Sequence, residues 1–212
     1  MARRALIEHR PWLLASVTAA IAYYFVWNNP IGGVWLILLK GAGVGLLAVY
    51  AWRRSVGADG SILAGVLALS AAGDIALELS MSAGGALFAA AYGVAIALYC
   101  RNGAGRLALI PALIAIATPI GVWLLTEDIA VTGFGVILGI MAGSAWASRF
   151  PNHRVGVGTL LIVASDILLF SRMGTLDLGD LPDVLVWPLY YAGQLMIATG
   201  VVQTLRGERT VR

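Results

Sequence analysis

The sequence predicts an all-α membrane protein: a polytopic helical bundle with eight transmembrane helices and both termini cytoplasmic. Three observations carry that expectation. Of 212 residues, 60% are hydrophobic and only 12% charged, with mean hydropathy +0.88, whereas soluble domains carry about 25% charged residues. A chain this apolar calls for a bilayer as its solvent. Apolar runs recur at 11–27, 31–52, 61–79, 84–100, 106–125, 130–148, 155–171 and 184–204, separated by short polar breaks. A transmembrane helix uses about 20 residues, so eight of them leave roughly 50 for loops and tails. That leaves no room for a soluble domain, and 1–212 reads as a single transmembrane domain. The runs are continuous instead of alternating at every second residue, which favours helices over barrel strands. Lipid offers no hydrogen bonds, and a helix satisfies its own backbone.

The third observation is charge placement. With the N-terminus inside, the inner segments hold Arg3, Arg4, Arg10, Arg53, Arg54, Arg101, Arg106, Arg149, Arg154, Arg206, Arg209 and Arg212, twelve of fourteen basic residues. The outer loops hold Arg172 and the acids Glu127, Asp128, Asp177, Asp180 and Asp183. The positive-inside rule predicts this asymmetry, and it holds at every loop only for an even number of spans.

The spans can be justified in order. Span one follows a basic tail and has the look of a secretory leader. However, it ends in Tyr23, Tyr24, Phe25 and Trp27 instead of a small-residue cleavage site, so it reads as a retained span. Asn28-Asn29-Pro30 separates it from span two, which carries Lys40 and closes at Arg53-Arg54-Ser55. Span three carries Asp74 and Glu78, and the stretch from Ser80 to Gly85 leads into span four. Arg101 to Gly105, then Thr126-Glu127-Asp128, bound span five, and Arg149 to Arg154 follows span six. Span seven carries Asp166; the stretch from Arg172 to Asp183 leads into span eight with Tyr190, Tyr191 and Gln194. Runs under 20 residues fit tight loops and a locally thinned bilayer. All seven tryptophans lie near span ends, as an aromatic belt requires.

Several functions are excluded. One cysteine, Cys100, makes no internal disulfide. The only histidines, His9 and His153, lie outside the spans, so neither a zinc site nor a serine–histidine hydrolase is supported, and no cofactor or metal is implied. The aromatics sit in membrane spans instead of beside a basic groove, which leaves no nucleic-acid partner. Asp177, Asp180 and Asp183 read as a solvated outer loop, and the spread-out glycines read as close helix packing.

Lys40, Asp74, Glu78 and Asp166 stand inside apolar runs, where each ionisable group costs about 2.5–3.5 kcal/mol on insertion scales. Such residues usually face a cavity and carry function, although buried ion pairs or an interfacial Glu78 would also account for them. In the assigned topology Lys40, Asp74 and Asp166, with Tyr190, Tyr191 and Gln194, fall between the membrane's middle and its outer face. Asp74 with Glu78, and Tyr190 with Gln194, are four apart and share a helix face. Gly73-Asp74-Ile75-Ala76-Leu77 also echoes Ser165-Asp166-Ile167-Leu168-Leu169, a weak repeat that suits two parallel halves. Two carboxyls in apolar surroundings can divide labour, one giving a proton and the other activating water. Glycosidases do this through an oxocarbenium ion; the same groups suit an acid-labile ether or a transported proton.

At these residues the chain resembles the lysoplasmalogenase family, the YhhN-type eight-span membrane proteins. Lys40 in span two, Gly73-Asp74 in span three, Phe88 in span four, Ser165-Asp166 in span seven and Tyr190-Tyr191-Ala192-Gly193-Gln194 in span eight carry the likeness. The resemblance implies hydrolysis of the vinyl-ether bond of lysoplasmalogens to a fatty aldehyde and a glycerophosphobase. It implies Asp74 and Asp166 as the acid/base pair, with neither role assigned. Lys40 would hold the lysophospholipid phosphate or tune a carboxylate. Tyr190, Tyr191 and Gln194 would orient the ether oxygen or water, and Glu78 and Tyr92 would complete the substrate site. Two positions depart from the family pattern. Tyr92 stands where the family usually has histidine, and Gly41 follows the span-two lysine where proline is frequent. Tyrosine still donates a hydrogen bond but does not shuttle protons near neutral pH.

The expected partners are a lysophospholipid substrate and membrane lipid, and the expected place is an integral membrane setting, the inner cell membrane if the host is prokaryotic. Two rivals use the same residues. A proton-coupled transporter of small molecules or lipids would give flux without turnover. A non-catalytic scaffold would use Lys40 only to pair the carboxylates, and its short loops offer little binding surface.

Overall fold

The computed structural model describes residues 10–27, 33–104, 109–174 and 178–211. The expectations placed on Arg3, Arg4, His9, Asn28-Asn29-Pro30, Arg106, Asp177 and Arg212 lie outside the described residues. Helices follow in the order α1 (Arg10–Val26), α2 (Val34–Arg54), α3 (Ala58–Leu77), α4 (Met81–Arg101), α5 (Leu109–Thr126), α6 (Ile129–Ala147), a π-helical turn (Asn152–Gly156), α7 (Val157–Ser171) and α8 (Leu181–Val211). Among the described residues no strand forms, only one antiparallel bridge between Gly103 and Ser148. The protein is all-helical. Among the described residues seven helices, α2 to α8 with the π turn joined to α7, are long and apolar enough to cross a membrane, and α1 is shorter.

Several helix ends lie a few residues from the ends of the apolar runs, those of α8 and α3 among them. α8 continues to Val211, because no proline interrupts the continuation Leu205-Arg206-Gly207-Glu208-Arg209 and leucine, arginine and glutamate hold a helix well. α3 stops at Leu77 although the apolar run reaches Leu79. There the N–H groups of Leu79 and Ser80 both donate to the Ala76 carbonyl, at 3.0 and 2.8 Å. The Ser80 hydroxyl then accepts from the Ala83 N–H at 3.4 Å as α4 begins. A serine before a helix satisfies its first N–H groups in this way.

The chain forms two compact units, one of Met1–Ala91 with Val202–Arg212, the other of Tyr92–Val201. In the first, α2 packs against both α1 and α3. The Ser16 hydroxyl donates to the Gly43 carbonyl at 2.5 Å, tying α1 to α2. Val44, Leu47, Leu63 and Leu67 are wholly buried in the core.

In the second unit, α6 lies against α5 through Gly135, Gly139 and Gly143, spaced four apart. A Cβ at Gly139 would meet the Ala115 carbonyl at 2.8 Å, and one at Gly143 the Pro111 carbonyl at 2.6 Å. This is the close approach that small residues permit between membrane helices. Gly158 of α7 and Gly193 of α8 meet in the same manner, each Cβ position falling 2.9 and 2.6 Å from the other's carbonyl. At the ends of α4 and α6, Arg149 Nε donates to Asn102 Oδ1 at 2.6 Å and the Arg149 N–H to the Asn102 carbonyl at 2.8 Å. Trp146 Nε1 donates to the Gly156 carbonyl at 3.0 Å and fastens the π turn.

Candidate functional site

The first unit holds Lys40, Asp74 and Glu78. Lys40 sits six residues into α2, about 9 Å along its axis, and its ammonium lies 2.5 Å from Glu78 Oε1. The lysine side chain is 15% exposed and the glutamate 36%. On its other side the ammonium stands 5.7 Å from the centre of the Tyr23 ring of α1, within cation–π range. Asp74 is 2% exposed and contributes to the electrostatic field at Lys40. Gly73 makes room beside it: a Cβ there would touch the Phe88 ring of α4 at 3.0 Å. The Gly73-Asp74 and Phe88 motifs are therefore one packed contact.

Glu78 differs from Asp74 in exposure. It lies just past the end of α3, and its side chain is exposed while Asp74 is buried. Glu78 keeps right-handed helical dihedrals as the C-cap of α3, and it and Asp74, four residues apart, both act on the Lys40 ammonium.

The second unit holds Tyr92, Asp166, Tyr190, Tyr191 and Gln194. The Tyr92 hydroxyl of α4 donates to Asp166 Oδ2 of α7 at 2.8 Å, with both side chains buried. Tyr92 also meets Phe134 of α6 edge-on, ring centres 5.6 Å apart, and Phe134 meets Phe170 of α7 at 5.5 Å. Ser165 is fixed separately, its hydroxyl donating to the Val186 carbonyl of α8 at 2.9 Å. Tyr190, Tyr191 and Gln194 are buried on α8. Trp187 stacks on Tyr191 with centres 6.1 Å apart and tilts over Tyr190 at 5.9 Å.

Four aromatic residues here were not legible as site residues. Tyr23 reads as a span-end aromatic, yet it backs Lys40. Phe134 and Phe170 look like any other apolar filler. Trp187 reads as part of the interfacial belt, but it is only 8% exposed, against 77% for Trp35. Only the spacing of Trp187 from Tyr190 and Tyr191, three and four residues on, could have suggested an internal stack.

The chemistry available is therefore of two kinds: a partly exposed ammonium–carboxylate pair on an aromatic ring, and a buried carboxyl gripped by a phenol. No curated protein and no solved structure matches the chain. The YhhN family model matches residues 35–201, from the start of α2 to well into α8. That span contains Lys40, Asp74, Phe88, Asp166 and Gln194. The chain belongs to the YhhN family, which includes lysoplasmalogenases.

Proposed function

We propose that this membrane protein hydrolyses the vinyl-ether bond of lysoplasmalogen-like lysophospholipids, releasing a fatty aldehyde and a glycerophosphobase. The observation that carries the reading is the buried Asp166 held by Tyr92 inside an apolar helical unit, in a chain of this family. A carboxyl kept from water and given a hydrogen-bond donor is costly to maintain, and such groups concentrate at working sites.

The reaction needs little more than proton transfer. A proton added to the vinyl carbon remote from oxygen gives an oxocarbenium ion. Water adds to the adjacent carbon and loses a proton, and the hemiacetal collapses to aldehyde and the glycerol hydroxyl. One water is consumed, and the proton borrowed is returned. Asp74 and Asp166 are the proposed acid/base residues, by the same division of labour that serves other oxocarbenium chemistry. Lys40 is the proposed contact for the lipid phosphate, beside Glu78. Tyr190, Tyr191 and Gln194 are proposed to orient water or the ether oxygen. No cofactor is invoked.

The proposed setting is an eight-span topology with both termini cytoplasmic, in the inner cell membrane if the host is prokaryotic. Arg53, Arg54, Arg101, Arg149, Arg154 and Arg206 would then face the cytoplasm, and Glu127, Asp128, Asp180 and Asp183 the outer side. α1, at 17 residues, would reach about 26 Å and thin the bilayer slightly.

Aldehyde release by purified wild-type, D74N and D166N proteins tests the catalytic assignment. Each single variant is expected to lose activity while staying folded and monodisperse. Full activity in the D74N/D166N double variant would overturn it.

A further inference from the structure

Asp166 is enclosed by a closed circuit of side chains that the proposed chemistry leaves unexplained. Tyr92 donates to Asp166 Oδ2 at 2.8 Å. The Tyr92 ring rests edge-on against Phe134, with centres 5.6 Å apart and planes at 62°. Phe134 rests edge-on against Phe170, at 5.5 Å and 84°. Phe170 lies four residues beyond Asp166 on α7, so the two share a helix face. The circuit thus runs from α7 to α4, through α6 and back to α7. All its members belong to the second unit.

Such a circuit fixes what a single hydrogen bond does not. A phenol ring turns about two side-chain bonds, and edge-to-face packing restrains that swing. With the ring held, its hydroxyl stands at one place relative to α7, and Oδ2 is committed to it. The second carboxyl oxygen, Oδ1, is then presented in one orientation. Catalysis by proton transfer depends steeply on such placement, since a displacement of about 1 Å can cost roughly a hundredfold in rate.

Resting on the hydrolase reading above, we propose that Tyr92 is a positioning residue for Asp166, not a substrate contact. Phe134 and Phe170 are its braces, and Oδ1 of Asp166 is the oxygen that handles the reacting proton. Tyr92 itself gains and loses no proton in the cycle, as befits a phenol near neutral pH.

The test uses the full-length protein in detergent and two readouts. Y92F removes only the hydroxyl and keeps the ring contacts; F134L keeps the hydroxyl and loosens the ring. Y92F is expected to lower kcat by about tenfold or more with KM within about twofold, and F134L to lower kcat by a smaller factor. A substrate contact would raise KM instead. The second readout is the Asp166 carboxyl stretching band, identified by its disappearance in D166N infrared spectra. It is expected to move in Y92F and to broaden in F134L, whether or not any substrate turns over. An unmoved band in Y92F, or unchanged kcat in Y92F beside an inactive D166N, overturns the positioning role alone. A fully active D166N overturns the hydrolase assignment of Asp166 and this role with it, and the band then still reports whether the hydrogen bond exists.

Discussion

Lys40–Glu78 in one unit and Tyr92–Asp166 in the other each join two helices through an acidic side chain, and they do so under opposite conditions. The first is a pair of full charges at the end of α3, with Glu78 36% exposed. The second joins a phenol to a carboxyl that is 8% exposed. Glu78 of the first pair is open on one side, so another group can meet its carboxylate. Nothing apolar around Asp166 can replace the phenol. The comparison teaches that an acid's partner matters in proportion to what stands ready to substitute for it. The exposed pair is suited to yielding when an anionic lipid group arrives, the buried one to staying fixed.

That contrast can be broken at several levels. The largest expected difference is in turnover. D166N should lower kcat/KM for the vinyl ether by roughly a hundredfold or more, and E78Q by less than about fivefold. Similar losses in the two variants would erase the distinction. Packing comes next. G193A forces a Cβ to within 2.6 Å of the Gly158 carbonyl, whereas a Cβ at Gly45 would meet Ala71 at an ordinary 3.7 Å. Chemical denaturation in detergent should therefore show G193A losing about 1–3 kcal/mol and G45A unchanged or slightly more stable. Equal stability of the two would mean that α7 and α8 are not locked by that contact.

A smaller difference concerns the pairs themselves. Y92F leaves a buried carboxyl short of a donor and should cost about 1–3 kcal/mol of stability. K40M leaves a glutamate that is already 36% exposed, and should cost under about 1 kcal/mol. A K40M loss as large as that of Y92F would mean that Glu78 is less accessible than its exposure suggests. The smallest effect is ionic. Raising salt to about 1 M shortens the screening length to about 3 Å, so the K40M deficit should shrink while the Y92F deficit persists. Parallel responses to salt would place both pairs in the same environment.

Much of this was legible in the sequence for a plain physical reason. A bilayer demands long, unbroken apolar runs, so the helices announce themselves, and a Lys40, Asp74 or Asp166 inside such a run stands out at once. What the sequence hid were relations set by distance. Tyr92 and Asp166 are 74 residues apart, and no periodicity links them. Tyr23, Phe134 and Phe170 have the composition of lipid-facing filler, and only packing reveals their partners. The pairing of Glu78 with Lys40, 38 residues away, was hidden for the same reason. The aspartate echo between α3 and α7 was visible, but its two settings were not. Gly73 yields to the Phe88 ring, while Ser165 donates to the Val186 carbonyl.

The most direct test of the central claim is aldehyde release by the purified wild-type protein from a lysoplasmalogen, run beside the matching saturated alkyl-ether lysophospholipid. Protonation of a vinyl carbon is possible only in the first, so the account predicts aldehyde from the vinyl ether and none from the alkyl ether. No aldehyde from either lipid, with a folded and monodisperse sample, would contradict it and turn attention to proton-coupled flux through the same carboxylates.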